Sequence, residues 1–223
     1  MKKITHRTLL ISAIATCGAI TSAPALAEVE LSANVALTSD YVWRGMSQND
    51  GNPAIQGGFD LEHASGFYAG TWASNVDAGD SSIELDFYAG LAGGLDSGLG
   101  YDLGIIRYTY PGDSDLDFTE FYAGVSYDFG AVEPAFMVSY DPDNKDRYCQ
   151  LSAGFALPSD FSLDLHVGRY TFDDAANYND YGIVLGTEVG GFDLSLGYTN
   201  TNMSNKKDAK ADGRVALTIA RSF

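Results

Sequence analysis

From Glu30 to Trp43 the chain alternates with a period of two. Leu31, Ala33, Val35, Leu37, Tyr41 and Trp43 fall on one side, and Glu30, Ser32, Asn34, Thr38 and Asp40 on the other. A strand so patterned has one face for hydrocarbon or a core and one for water. The pattern recurs at intervals of about 16 residues up to Phe223. It predicts twelve strands, at roughly 30–44, 53–63, 67–76, 82–92, 99–110, 117–127, 131–140, 147–157, 161–171, 180–189, 192–200 and 214–223. Most reach the roughly 9–11 residues that a tilted strand needs to cross hydrocarbon.

The first 27 residues read as a cleaved signal peptide. Lys2, Lys3 and Arg7 precede an apolar stretch from Leu9 to Ile20, and Ala25-Leu26-Ala27 stands before Glu28. Residues 28–223 then form the expected mature domain. It holds 10 Lys and Arg against 30 Asp and Glu. That balance argues against nucleic acid, whose phosphates demand a basic face. No apolar run after the leader approaches the length of a helical membrane span. The expectation is therefore an all-β, up-and-down antiparallel barrel crossing the outer membrane of a Gram-negative bacterium.

The connections support this. Ala64-Ser65-Gly66, Gly93 to Gly98, Asp128-Phe129-Gly130, Pro158-Ser159-Asp160 and Gly190-Gly191 are short and rich in turn residues. Between them lie longer polar stretches at 45–52, 77–81, 111–116, 141–146, 172–179 and 201–213. Outer-membrane barrels have short periplasmic turns and longer external loops. Two aromatic belts are expected at the bilayer surfaces: Tyr101, Tyr127, Phe161, Phe192 and Phe223 below, and Tyr41, Trp43, Tyr140, Tyr181 and Tyr198 above. In the fifth strand Leu99, Tyr101, Leu103 and Ile105 alternate, but Ile106, Tyr108 and Tyr110 take the other parity. That predicts either a bulge near Ile105 or emergence of the strand above the lipid.

Residues 39–77 carry a resemblance. Ser39-Asp40-Tyr41, Trp43-Arg44-Gly45-Met46-Ser47-Gln48, Pro53-Ala54-Ile55-Gln56-Gly57-Gly58 and Ser65-Gly66-Phe67-Tyr68-Ala69-Gly70-Thr71-Trp72 resemble the signature stretch of the TorF-type porins, the Gcw_chp family. Tyr108-Thr109-Tyr110-Pro111 and the Phe-terminated last strand are similar too. The resemblance implies an outer-membrane barrel of porin type and names no substrate.

The inward parity carries the candidate function. Asp40, Asp60, Glu84, Asp86, Glu120 and Glu188 are expected to line the lumen. Rings of carboxylates concentrate cations and repel anions. Arg44, Arg107 and Arg169 are expected at the upper rim, where guanidinium groups can hold lipopolysaccharide phosphates bidentately. Small solutes are the expected cargo. The last strand, ending in Phe223, is the expected contact for the barrel-assembly machinery. No cofactor or metal is expected. Asp113, Asp115 and Asp117 mimic the start of an EF-hand, but Phe118 stands where Gly is required and Gly124 where a bidentate Glu is required. Neither a G-x-S-x-G elbow nor a phosphate-cradling glycine loop occurs, so no enzyme is expected. The favoured reading is a passive, cation-preferring pore. The alternative is a non-conducting barrel that binds a lipid or surface partner through its external loops. No external loop looks long enough to plug the lumen, although 201–213 could partly fold inward.

Overall fold

The protein is described by a computed structural model covering residues 29–203 and 209–223. The expected signal peptide lies outside the described residues, as do Lys206 and Lys207. Twelve long strands close into one antiparallel barrel: β1 (Val29–Thr38), β4 (Ala54–His63), β5 (Phe67–Ala78), β6 (Ser81–Gly94), β7 (Leu99–Thr109), β8 (Phe118–Tyr127), β9 (Val132–Tyr140), β10 (Arg147–Ala156), β11 (Phe161–Thr171), β12 (Tyr178–Val189), β13 (Phe192–Thr201) and β14 (Arg214–Ser222). β1 pairs with both β4 and β14, which closes the cylinder. Two short strands, β2 (Val42–Trp43) and β3 (Met46–Ser47), make a separate hairpin in the first long loop.

The apolar stripe faces out. On β6, Ile83, Phe87 and Leu91 are 42, 51 and 42% exposed, while Glu84, Asp86 and Tyr88 are 2, 1 and 6% exposed. A soluble barrel would reverse this. Leu31, Phe59, Leu151, Val167 and Leu217 continue the apolar surface around the cylinder. Such a girdle is stable only against acyl chains, so the chain is a transmembrane barrel of outer-membrane type. Cys149, the free thiol, is exposed on this outward parity.

Both described ends lie at the end of the short turns. The hairpin between β5 and β6 departs from the expected loop asymmetry. Its strands run on to Ala78 and Ser81, so the turn at 79–80 is as tight as those at the opposite end. A register shift sits here, between Asn75 and Ala78. None occurs at Ile105, where β7 pairs continuously with β6 and β8. Ile106 and Tyr108 simply point inward and are buried. The expected bulge is therefore absent, because the upper lumen is itself lined by apolar and aromatic groups.

Candidate functional site

The first strand ends at Thr38, not at residue 44. The chain then turns into the barrel. Arg44 and Gly45 form the tip of the β2–β3 hairpin, with φ of 48° and 81°. Positive φ at both central residues is what a two-residue type I′ turn requires. Glycine is needed at the second position for a further reason: a Cβ on Gly45 would stand 2.7 Å from Thr201 Cγ2 and 2.8 Å from Asp180 Cβ. The hairpin tip therefore lies against β12 and β13.

Its base is fastened by polar contacts. Ser47 Oγ donates to Asp40 Oδ1 at 2.7 Å, and Arg214 Nη1 donates to Asp40 Oδ2 at 3.0 Å. Gln48 N donates to Tyr41 O at 2.7 Å, and Asp77 N to Gln48 O at 2.8 Å. At the tip, Arg44 grips Glu120 of β8 bidentately, with Nη1–Oε1 at 2.7 Å and Nη2–Oε2 at 2.6 Å. The guanidinium also lies 4.1 Å from the Trp43 ring centroid and 4.2 Å from that of Tyr148. Burial works against the Arg44 charge. The attraction and hydrogen bonds of Glu120 more than offset it, so the group's pKa lies above its ordinary value. Tyr178 OH donates to Arg44 O at 3.0 Å and holds the turn from β12.

The hairpin divides the lumen into two unlike halves. On the side of β4 to β8 the space is filled. Tyr68, Trp72, Tyr88, Ile106, Tyr108 and Tyr122 pack with Tyr41 into one buried cluster. Their rings lie over glycines on neighbouring strands: Tyr88 over Gly70, Tyr68 over Gly90, Tyr122 over Gly104. The absent Cβ leaves room for a ring to lie flat along the wall. The phenols bond carboxylates. Tyr68 donates to Asp102 at 2.7 Å, Tyr88 to Asp60, and Tyr41 to Glu84 at 3.3 Å. Glu84 Oε2 and Asp86 Oδ1 remain buried without a hydrogen-bond partner. Trp43 reaches from this cluster to a second one, Tyr148, Tyr170 and Tyr178.

The side of β13 and β14 is different. Inward residues there include the small Ser195 and Gly197 on β13 and Ala216 and Thr218 on β14. Between them, the hairpin and β10–β11 lies a cavity of about 260 Å³.

The predicted lumen carboxylates are not one ring. Asp40 is paired with Arg214, and Glu120 with Arg44. Asp60 accepts from Tyr88 and Asn34. Glu84 and Asp86 are enclosed in the filled half. Glu188 stands near the turn end, opposite Asp193. Of the predicted rim arginines, Arg107 and Arg169 stand on the outer face towards the loop end. Arg107 contacts Thr119 at 3.0 Å and Asp117 at 3.4 Å, and Arg169 contacts Asn179 at 3.0 Å. Arg44 is a correction. Its side chain is 5% exposed and already holds a carboxylate, so its place is inside the barrel and not on the lipid-facing rim. Tyr41 and Trp43 move inward with it, while Tyr140, Tyr181 and Tyr198 stay outside as belt residues. The loop at 201–213 does send Ala211 inward, where its carbonyl accepts from Thr201 Oγ1 at 3.0 Å. The larger intruder is the segment 39–53, which the alternating pattern does not mark as a plug.

A closed twelve-strand barrel with an apolar exterior and a divided lumen defines the class: an outer-membrane β-barrel of porin-like architecture. The chain belongs to the family described as "Bacterial protein of unknown function (Gcw_chp)", which matches residues 22–223. No curated protein matches the sequence. Among solved structures it is similar to the KdgM porin, with a TM-score of 0.63 at 9% identity, covering 86% of this chain and 99% of that chain. It is also similar to the NanC porin, with a TM-score of 0.59 at 11% identity, covering 86% and 98%. A second KdgM structure, in complex with disordered oligogalacturonate, gives 0.62 at 9% identity over 86% and 98%. At such identities the likeness establishes the fold.

Proposed function

We propose that the protein is a passive outer-membrane channel for small solutes, exported by the leader at 1–27 and constricted by the hairpin at Arg44. The observation that carries this is the lumen half lined by Ser195, Gly197, Ala216 and Thr218, which leaves about 260 Å³ beside the hairpin where the other half is packed solid. Porins of the same fold include one whose structure was determined with oligogalacturonate, which supports passage of small solutes as the use of this architecture.

The proposed cation preference rests on the turn end. Glu30, Glu62, Asp102, Glu133, Asp164, Glu188 and Asp193 occupy inward positions there, and Arg221, the basic residue of that end among the described residues, points outward over Phe192 and Phe223. A mouth of one sign raises the local concentration of the opposite ion. Purified protein in a planar bilayer with a KCl gradient should give a reversal potential of cation-preferring sign. Glu188→Gln with Asp193→Asn should move it toward zero. Conductance without ion preference would remove the electrostatic part, and no conductance from folded protein would remove the channel.

A second reading has an observation of its own. The bidentate Arg44–Glu120 grip across the lumen favours a barrel that rests closed, acting through its exterior. Arg107 and Arg169, with Arg147 beside them on the outer face, supply a collar for lipopolysaccharide phosphates. The strand that ends in Phe223 is the proposed contact for barrel assembly.

A further inference from the structure

The cavity beside the hairpin is bordered on one side by charge that the protein does not balance. The pairs at the hairpin are closed. Asp40 holds Arg214 at 3.0 Å and Arg44 holds Glu120 at 2.6 Å, with the Arg44 guanidinium 4.1 Å from the Trp43 ring centroid. The wall of β11 and β12 is open. His166 lines the cavity, and its Nε2 donates to Asp180 Oδ1 at 3.1 Å. Tyr148 OH lies 3.1 Å from the same oxygen and equally far from the Gln150 amide oxygen, so one proton is divided between two acceptors. Asp164 precedes His166 by two residues on the same inward face, and it sits opposite Val184, another lining residue. Asp164 has no ion-pair partner among the described residues. Asp164, His166 and Asp180 are 7, 8 and 1% exposed, and Asp164 Oδ2, His166 Nδ1 and Asp180 Oδ2 are buried without a hydrogen-bond partner.

We propose that this cavity binds a small solute carrying a primary ammonium group, held at the wall of Asp164, His166 and Asp180. The three open atoms there are acceptors. A carboxylate oxygen has no proton to give, so Nε2 carries the proton of the His166–Asp180 contact, and Nδ1 of the neutral ring is left to accept. Two carboxylates face one imidazole, so at least one negative charge stays uncompensated even with the ring protonated. A buried charge is costly unless it is paired and hydrogen-bonded. An ammonium supplies both needs, with one positive charge and several N–H donors. The volume of about 260 Å³ sits below the roughly 300–1,000 Å³ of sites for drug-sized ligands, so the solute is small, with room for a carbon skeleton behind the ammonium. Thr38, Gln56, Ser195, Thr199 and Thr218 complete a polar lining that suits hydroxyls on that skeleton. The site rests on the lumen geometry used for the channel reading and gives its cation preference a solute class.

The test is a charge series on one small frame. Ethanolamine, ethylene glycol and glycolate are titrated into the detergent-solubilised full barrel at constant ionic strength. Tryptophan fluorescence is the readout, because Trp43 lines the cavity. Ethanolamine should give a saturable change, and the neutral and anionic analogues should bind roughly tenfold more weakly or not at all. Tetramethylammonium has the charge without the N–H donors and should be weaker by a similar factor. Asp164→Asn should weaken ethanolamine by about tenfold, the loss expected when a hydrogen bond to a charged group is removed. It takes one carboxylate from a chain with 30 acidic residues, so diffuse attraction would barely change. Folding of the variant is checked by heat-modifiable gel mobility, and Asp164→Ser is read in its place if Asp164→Asn fails to fold. Equal binding of ethanolamine and any of its three comparators, no saturable change with ethanolamine, or undiminished binding in the Asp164 variant would each overturn the proposal. Bilayer conductance separates the two readings. Current without ethanolamine binding removes this site and leaves the channel, and ethanolamine binding without current does the reverse.

Discussion

The two halves of the lumen are built from the same backbone and filled by opposite rules. From β4 to β8, the rings of Tyr68, Trp72, Tyr88, Tyr108 and Tyr122 and the carboxylates of Asp60, Glu84, Asp86 and Glu120 fill the inward positions, and glycines on neighbouring strands make room for several of the rings. Along β13 and β14, Ser195, Gly197, Ala216 and Thr218 leave the wall bare beside the hairpin. Strand number alone would give a barrel of intermediate bore. The difference between the halves shows that bore is set by side-chain volume at inward positions, with one loop as the partition.

Arg44→Ala should have the largest effect on that comparison. It leaves Glu120 enclosed without its partner, a loss of about 3–5 kcal/mol for a buried pair broken on one side. Urea unfolding in detergent should show a lower midpoint, and single-channel conductance should rise severalfold. The double variant Arg44→Ala with Glu120→Gln should recover stability and keep the higher conductance. An unchanged conductance in both would mean that the hairpin is no partition. Trp72→Ala comes next. In the packed half it should cost about 3–5 kcal/mol as a cavity opens, with conductance almost unmoved because the proposed path runs through the other half. A large rise in current would erase the distinction drawn between the halves. Ser195→Leu is the smallest in energy. It faces open space, so stability should change by less than about 1 kcal/mol while conductance falls measurably. Equal currents in Ser195→Leu and the parent barrel would place the path elsewhere.

Much of the wall is legible in the residue pattern alone. β4 to β14 fall within a few residues of the expected strands, because an outward apolar parity and Gly- or Asp-containing turns leave little freedom in register. Asp60, Glu84, Asp86 and Glu120 are buried on the inward parity of their strands. Their pairing is not legible. Arg44 and Glu120 are 76 positions apart in sequence, and no periodicity links them. The alternation misleads at residues 39–44, where Tyr41 and Trp43 continue the odd parity of β1 and so imitate a longer strand. The signal against a longer strand is small: Ser39-Asp40 interrupts the run, and Arg44-Gly45 is a two-residue turn without the usual Asn or Asp. The change of apolar parity between Ile105 and Ile106 misleads in the opposite direction. It suggests an irregular backbone, whereas a regular strand is meeting an aromatic interior.

The inward hairpin has a mechanical side as well. β1 pairs with β4 along its whole length, from Val29 to Thr38, but with β14 only from Asn34 to Thr38. The line where the first and last strands meet is thus the thinnest stitch in the cylinder. The segment leaving β1 spans it just above the ladder: Ser39 N donates to Leu217 O and Leu217 N to Ser39 Oγ, each at 2.9 Å, and Asp40 then takes Arg214. What narrows the bore is also the clasp on the seam, so loosening one would slacken the other.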